Sequence, residues 1–313
     1  MNRRSKLMRR EGIAGLLFVT PQLIYFLLFF LLPLGICIYA GFTNWNILSP
    51  NRMFTGLRNF ERLFADPKFW TALQNTFYML IPIPFYLCFA LAFAYCCHKK
   101  ILGEKVFRVI YYLPFISSIV ALTLIWKWLF NSQYGLVNNF LGLFGIDGPD
   151  WLGDPVWTKR MIVIMISWKM IGIISIYYIA ALKNVPSTYY EAAQLDGCGY
   201  LGFFFRIVLP LSKAVIAVIA LWAAVAQWNG YFNALIYLRS DELQPLQIAL
   251  RNILISNQTM SSMLTGAAAT EAQQLADLIK YAVIVVSSAP IMCMYPLVQK
   301  YFNQGVMLGS LKG

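Results

Sequence analysis

Charged side chains are scarce in this 313-residue chain. They fill 12% of positions, with 13 acidic residues, 25 basic ones and a single histidine. A soluble domain carries about 25%, so a water-soluble globule of this composition would lack about half of its solvated surface. Disorder, coiled coil and secreted disulfide scaffolds are excluded at the same step, because 59% of residues are hydrophobic and the mean hydropathy is +0.62. The phosphate-cradling G-x-x-x-x-G-K-[ST], the serine elbow G-x-S-x-G and the zinc-binding H-E-x-x-H are all missing. The chain is therefore not expected to bind ATP through such a loop, to hold a metal, or to carry a cofactor of its own. The lone His98 lies beside Lys99 and Lys100 and reads as an interfacial residue.

What remains is an integral membrane protein, all-α and polytopic. Six apolar stretches, at 12–41, 69–97, 109–126, 161–182, 214–238 and 281–299, are long enough to cross ~30 Å of hydrocarbon as helices. They are continuous, whereas membrane strands alternate in segments of about 10 residues. Five contain no Asp, Glu, Lys or Arg, and the fourth contains only Lys169. Buried acids are the usual mark of ion-coupled carriers, so proton pumps and cation symporters are disfavoured. The six cysteines (Cys37, Cys88, Cys96, Cys97, Cys198 and Cys293) avoid every predicted outer loop, and no disulfide framework is expected.

Lysine and arginine set the orientation. With the N-terminus inside, the inner segments hold 14 basic residues in 67 positions and the outer ones 10 in 103. The bias places both termini in the cytoplasm. The predicted organisation is a basic N-terminus (1–11), a six-helix domain (12–299) with an inner loop at 183–213, and a cytoplasmic tail (300–313). The net charge of +12 is then a topological device, and no nucleic-acid partner is implied. The first apolar run is too long for a signal peptide, lacks an Ala-x-Ala-like site, and is expected to be retained.

Polar groups at mid-depth point to function. In the fifth span, Gln227-Trp228-Asn229-Gly230-Tyr231-Phe232-Asn233 puts amides near the membrane centre, where they need partners. One reading is hydrogen-bonding glue at a subunit interface. The other is a sugar-sized polar path with an aromatic wall, built from Gln227, Trp228, Asn229, Tyr231 and Asn233. On a continuous helix Asn229 and Asn233 share a face, which Trp222 and Ala226 extend. Gln74, Asn75, Ser117 and Ser118 are weaker candidates. Lys169, beside Trp168, either snorkels to the outer interface or faces a polar cavity.

The inner loop between spans four and five contains Thr188-x-x-Glu191, read as a capping box, and Gly197, suited to a left-handed helix end. A second short helix is expected to break before Pro210. The product is a compact helix–turn–helix presenting Tyr189, Tyr190, Ala192, Ala193 and Leu195 without cover, as a docking surface for a partner.

The run Glu191-Ala192-Ala193-x-x-Asp196-Gly197, followed by Phe204, Ile207 and Leu209-Pro210, resembles the EAA loop of binding-protein-dependent ABC importer permeases. Cys198 stands where alanine is usual, and Lys213 where proline often follows. Phe42-Thr43-Asn44-Trp45, Gly56-Leu57-Arg58-Asn59-Phe60 and Asp66-Pro67-x-Phe69-Trp70 are similar to the first outer loop of di- and oligosaccharide importer permeases. Tyr112-Leu113-Pro114, Trp126-x-Trp128-x-Phe130 and Tyr134-Gly135 are similar to their third span and its exit. The tail Gly305-Val306-Met307 to Lys312-Gly313 is more typical of the other permease in such pairs. The resemblance implies a type I ABC importer permease fold in the bacterial inner membrane and import of a sugar by alternating access. The alternatives are a permease for glycerol phosphate or an amino acid and, from another class, an integral membrane enzyme. It also implies a second permease subunit (a heterodimer), an ATPase dimer carrying ATP and Mg, and an extracellular solute-binding protein. Tyr190, Glu191, Ala192, Ala193, Leu195, Asp196 and Gly197 are then the residues that couple to the ATPases.

Overall fold

The computed structural model describes residues 3–45, 53–98, 104–183, 187–230, 232–238, 240–253, 279–296 and 299. At 3–9, 98, 104, 105, 108, 187, 190, 194, 200, 201, 232, 233 and 241 it describes the backbone alone. Helices α1 (Arg3–Phe26) and α2 (Leu32–Gly41) are joined by a π turn (Leu27–Leu31). Then come α3 (Arg58–Ala65), α4 (Pro67–Leu80), α5 (Pro82–His98), α6 (Glu104–Ile116), α7 (Ile119–Leu129), α8 (Leu136–Gly142) and α9 (Pro155–Leu182). They are followed by α10 (Ser187–Leu195), α11 (Tyr200–Phe203), a second π turn (Phe204–Val208), α12 (Leu209–Leu211), α13 (Lys213–Trp228) and α14 (Phe232–Tyr237). Helix is also described at 246–253 and Ile279–Pro296. Among the described residues the extended pairing is one isolated bridge, Thr43 to Phe54. The fold is all-helical.

Four helical stretches are long and apolar enough to cross a membrane: Arg10–Gly41, Pro67–Cys97, Pro155–Leu182 and Ile279–Pro296. Two bent pairs raise the number to six if each is one span. Here the expectation of straight third and fifth spans is corrected. The third bends by 107° between Ile116 and Ile119. Pro114 supplies no N–H to the last turn of α6, the Ser117 hydroxyl donates to the Leu113 carbonyl at 2.8 Å, and Ser118 leaves helical geometry with ψ 130°. The second bent pair, Phe204–Leu211 with Lys213–Trp228, turns by 62° at Ser212. At its far end α13 closes at Trp228, with the Asn229 N–H on the Val225 carbonyl and the Gly230 N–H on that of Gln227, both at 3.1 Å. The chain turns helical again at Phe232.

Nor does the helix break before Pro210. It continues past Pro210 to Leu211, ahead of the bend at Ser212, because the preceding turn widens to a π turn in which the Leu209 N–H reaches the Phe204 carbonyl, five residues back. A proline ring collides with the carbonyl four residues earlier, and the wider turn moves that carbonyl aside. Leu27–Leu31 does the same for Pro33, with the Leu32 N–H on the Leu27 carbonyl. Both π turns are followed by Leu-Pro.

The chain divides into two compact units, 1–66 with 250–289 and 67–249 with 290–313. In the first, Asn59 is buried and donates to the carbonyls of Gly41 (2.9 Å) and Thr43 (3.1 Å), closing the C-terminal end of α2. Gly56, at φ 61°, makes the turn that delivers α3 to that position.

In the second unit, α5 packs along α9. Ala90 and Ala94 lie fully buried, and Ser175 on α9 donates to the Ala90 carbonyl at 3.2 Å. Small residues permit this close approach of backbones in a membrane helix pair. Gly172 faces the Tyr111 carbonyl of α6 so closely that any added carbon would overlap it. The start of α9 is set by Asp154, whose Oδ1 accepts from the N–H groups of Val156 (2.7 Å) and Trp157 (3.2 Å), with Pro155 at the first helical position.

Candidate functional site

The loop after α9 folds as a helix with two unlike faces. Ala193 is buried, and Phe203 and Val208 join it in the apolar core of the second unit, where Phe204 lies against the Tyr95 ring at 5.2 Å. Those contacts hold α10 and the π turn to the bundle. Glu191, Ala192, Asp196 and Gly197 face outward, Tyr189 is 48% exposed and Leu195 is 88% exposed. Ala193 was expected on the docking surface; it is instead the anchor, small enough to let α10 lie close. The side chain of Tyr190 is outside the description.

Gly197 ends α10 as its sequence suggested. Its φ is 65°, and the Cys198 N–H bonds the Ala193 carbonyl at 2.9 Å, the six-to-one bond of a Schellman turn. The space beside Gly197 is open, so a side chain there meets backbone strain rather than a neighbour. The capping box is displaced. Ser187 is already helical, so Thr188 sits in the first turn and Glu191 in the second.

The mid-span amides fall at the break of span five. Gln227 is half-buried, Asn229 is exposed at the end of α13, and the Gln247 side chain donates to Asn229 Oδ1 at 3.5 Å. Trp228 is 3% exposed and meets the Phe77 ring edge-on at 5.5 Å. Its ring packs inside the bundle rather than into open space. The shared face read for Asn229 and Asn233 requires an unbroken helix and is corrected: α14 begins only after the turn. Asn233 is described by its backbone, and Tyr231 lies outside the described residues.

Of the weaker candidates, Gln74 is exposed, and Asn75, Ser117 and Ser118 have other duties. Asn75 Nδ2 donates to the carbonyls of Glu242 (2.8 Å) and Gln244 (3.1 Å), while its Oδ1 accepts from Lys159 Nζ at 2.7 Å. Beside it, the Thr76 hydroxyl donates to the Ala72 carbonyl and accepts from the Leu246 N–H, both at 2.9 Å. Asn75 is thus a latch on the 242–246 segment, 167 residues away in sequence. Ser117 and Ser118 make the bend of span three. Lys169 is half-buried, next to Trp168, whose ring lies 5.8 Å from that of Trp126. His98 has only its backbone described, and no group of His, Cys, Asp or Glu among the described residues is arranged to hold a metal ion.

A helical bundle with a two-faced α10, broken spans and amides at a break has a counterpart among known sequences. Residues 87–308 match the model of the binding-protein-dependent transport system inner membrane component. The chain belongs to this family. It is 37% identical over 218 residues to the lactose transport system permease protein of Rhizobium radiobacter, covering 68% of this chain and 72% of that one. A diacetylchitobiose uptake permease of Streptomyces coelicolor is 30% identical over 73% of this chain and 69% of its own. A trehalose/maltose transport permease of Thermococcus litoralis is 30% identical over 69% of this chain and 74% of its own. In fold, the chain is similar to one in the crystal structure of a bacterial alginate ABC transporter complexed with a periplasmic protein holding an alginate pentasaccharide. The TM-score is 0.73 at 21% identity, over 95% of this chain and 96% of that one.

As an inner membrane component of an ABC transporter, the chain is a multi-pass membrane protein. Two features of this permease escaped the sequence reading. The bend in span three was announced by Pro114 and the Ser117-Ser118 pair inside an apolar run, and the break in span five by Asn229-Gly230, a turn-forming dipeptide. The Asn75 latch had no local signal, since its partners are distant in sequence.

Proposed function

We propose that the chain is one permease subunit of an ATP-driven importer that moves a di- or oligosaccharide handed over by an extracellular solute-binding protein. The sugar names carried by its relatives support the substrate class. In this reading the bent pairs each count as one span, giving six, with both termini cytoplasmic. The basic bias of the inner segments supports that topology. So does the parallel course of spans two and four: Asn75 meets Lys159 near their starts, and Ala90 meets Ser175 further along.

The partners are a second permease, giving a heterodimer, and an ATPase dimer that carries ATP and Mg. This chain binds no cofactor and catalyses no reaction. The observation that carries the coupling is the two-faced α10, anchored through Ala193 and exposed at Leu195. Closure of the ATPases moves the segment from Tyr190 to Gly197, and the spans rock between inward- and outward-open states. Both ATP and loaded binding protein must bind one state better than the other for this to work. The solute passes at Gln227, Asn229, Tyr231 and Asn233, with Trp228 supporting the wall from inside the bundle.

The test is Asn229→Ala in the assembled transporter. A solute contact predicts normal recovery of the complex with slower uptake and altered preference among related sugars. Weak assembly with unchanged preference would make the amides subunit glue instead. Solute-dependent ATP turnover by this polypeptide purified alone would overturn the coupling scheme.

A further inference from the structure

A polar cleft lies between the end of α7, the turn after it, the segment before α9 and Tyr237 on α14. Its volume is about 430 Å³, inside the range of about 300–1,000 Å³ typical of small-molecule sites. Lys127, Trp128, Asn131, Tyr134, Asp150 and Tyr237 contribute to its lining. All belong to the second unit, at the end of spans three and four that the importer reading places outside.

The rim is built rigidly. Asn131 Oδ1 accepts from the N–H groups of Gln133 (2.9 Å) and Tyr134 (3.1 Å), which leaves its Nδ2 for the cleft. Asp150 Oδ1 accepts from the Gly153 N–H at 3.0 Å, which leaves Oδ2. Asn138 ties the two rims together: its Nδ2 donates to the carbonyls of Ser132 (3.0 Å) and Pro149 (3.4 Å), and its Oδ1 accepts from Trp151 Nε1 at 2.5 Å. Gly135 packs against the backbone of Leu129 and Asn131 with no room for a side chain. Inside, the Lys127 ammonium lies over the Tyr237 ring, 5.9 Å from its centre.

We propose that this cleft receives one ring of a neutral saccharide on the outer side, before the solute reaches the amides of span five. The proposal rests on the importer reading above. An ammonium donates only, a carboxylate accepts only and an amide does both, whereas a hydroxyl does either. A ring bearing several hydroxyls meets all three. The apolar face of such a ring fits against an exposed aromatic, and Trp128 and Tyr134 are 51% and 61% exposed. One cation opposed by one carboxylate gives no net attraction for a uronate, which sets the preference for neutral sugars.

The test places a cysteine in the cleft, Ser132→Cys, in the complete transporter reconstituted in proteoliposomes. Its labelling by a membrane-impermeant maleimide is followed with glucose, lactose, maltose, cellobiose, chitobiose and digalacturonate as probes, each free and with the binding protein. Uptake of the same six probes is measured in parallel. The neutral saccharide that is imported should slow labelling about five-fold. Trp128→Ala should abolish that protection, and Trp128→Phe should keep part of it. If Ser132→Cys fails to assemble, Leu152→Cys, on the opposite rim, reads the same cleft. Import of a neutral saccharide with labelling unchanged overturns the inference and leaves the importer reading standing. Import of digalacturonate alone overturns the neutral preference. Import of none of the six overturns the importer reading itself. Protection that follows phosphatidylethanolamine content and ignores every saccharide assigns the cleft to a lipid headgroup, and the inference falls.

Discussion

At one end of the 67–249 body, the Asn75 side chain places both its amide nitrogen and its oxygen in hydrogen bonds to other segments. At the other end, α10 leaves Leu195 almost bare and rests on the bundle through an alanine. Spans two and four run parallel between the two regions, so the difference is not one of helix quality. It lies in where contacts are completed within the chain. The Asn75 latch closes on itself, whereas the α10 surface leaves Tyr189 and Leu195 exposed, as the proposed docking role requires. Stability should therefore be sensitive at the first region and nearly indifferent at the second, with assembly behaving the other way round.

Substitution at the latch should have the largest effect. Asn75→Leu strips partners from two carbonyls and from the Lys159 ammonium, and each buried polar group left unmet costs about 1–3 kcal/mol. The thermal midpoint of the purified chain in detergent should fall sharply, and Asn75→Asp, which keeps the acceptor for Lys159, should recover part of the loss. Next is Gly172→Ala, which forces α9 away from the Tyr111 carbonyl and should cost about 1–3 kcal/mol by the same measurement. Gly197→Val is smaller: a left-handed β-branched residue costs about 1–2 kcal/mol locally. Because the space beside it is open, that variant should stay folded and lose uptake through a re-aimed α10. The smallest effect on stability is expected from Leu195→Ser, within about 0.5 kcal/mol. ATPase co-purification should nevertheless fall severely, and if it does not, the exposed end is not the docking surface.

The same contrast explains how much the sequence revealed. Features written within a few consecutive residues were legible. Apolar runs located the four long helices because hydrocarbon imposes a length, and Gly197 was recognised because a helix end needs a left-handed residue at that spot. The α10 surface was legible for the same reason, apart from Ala193, whose burial depends on Phe203 and Val208 coming back over it. The two breaks were masked because hydropathy averages over a window. Pro114, Ser118 and Gly230 change backbone direction without lowering the apolar content enough to interrupt a run. Asn75 was misjudged as a solute candidate because its partners at 242–246 are reached only after three further spans. The cleft beside Trp128 was not legible as a cleft, since its lining comes from three separate stretches of chain.

The two π turns carry a consequence of their own. Each holds one residue more than an α turn needs, and each is followed by Leu-Pro. Successive residues in an α-helix are offset by about 100°. Removing any one residue from 204–208 would restore an ordinary turn, collide with Pro210 and rotate everything upstream, α10 included, by about that angle relative to α13. At this point the number of residues, more than their identity, sets the compass bearing of the surface that we propose a motor grips.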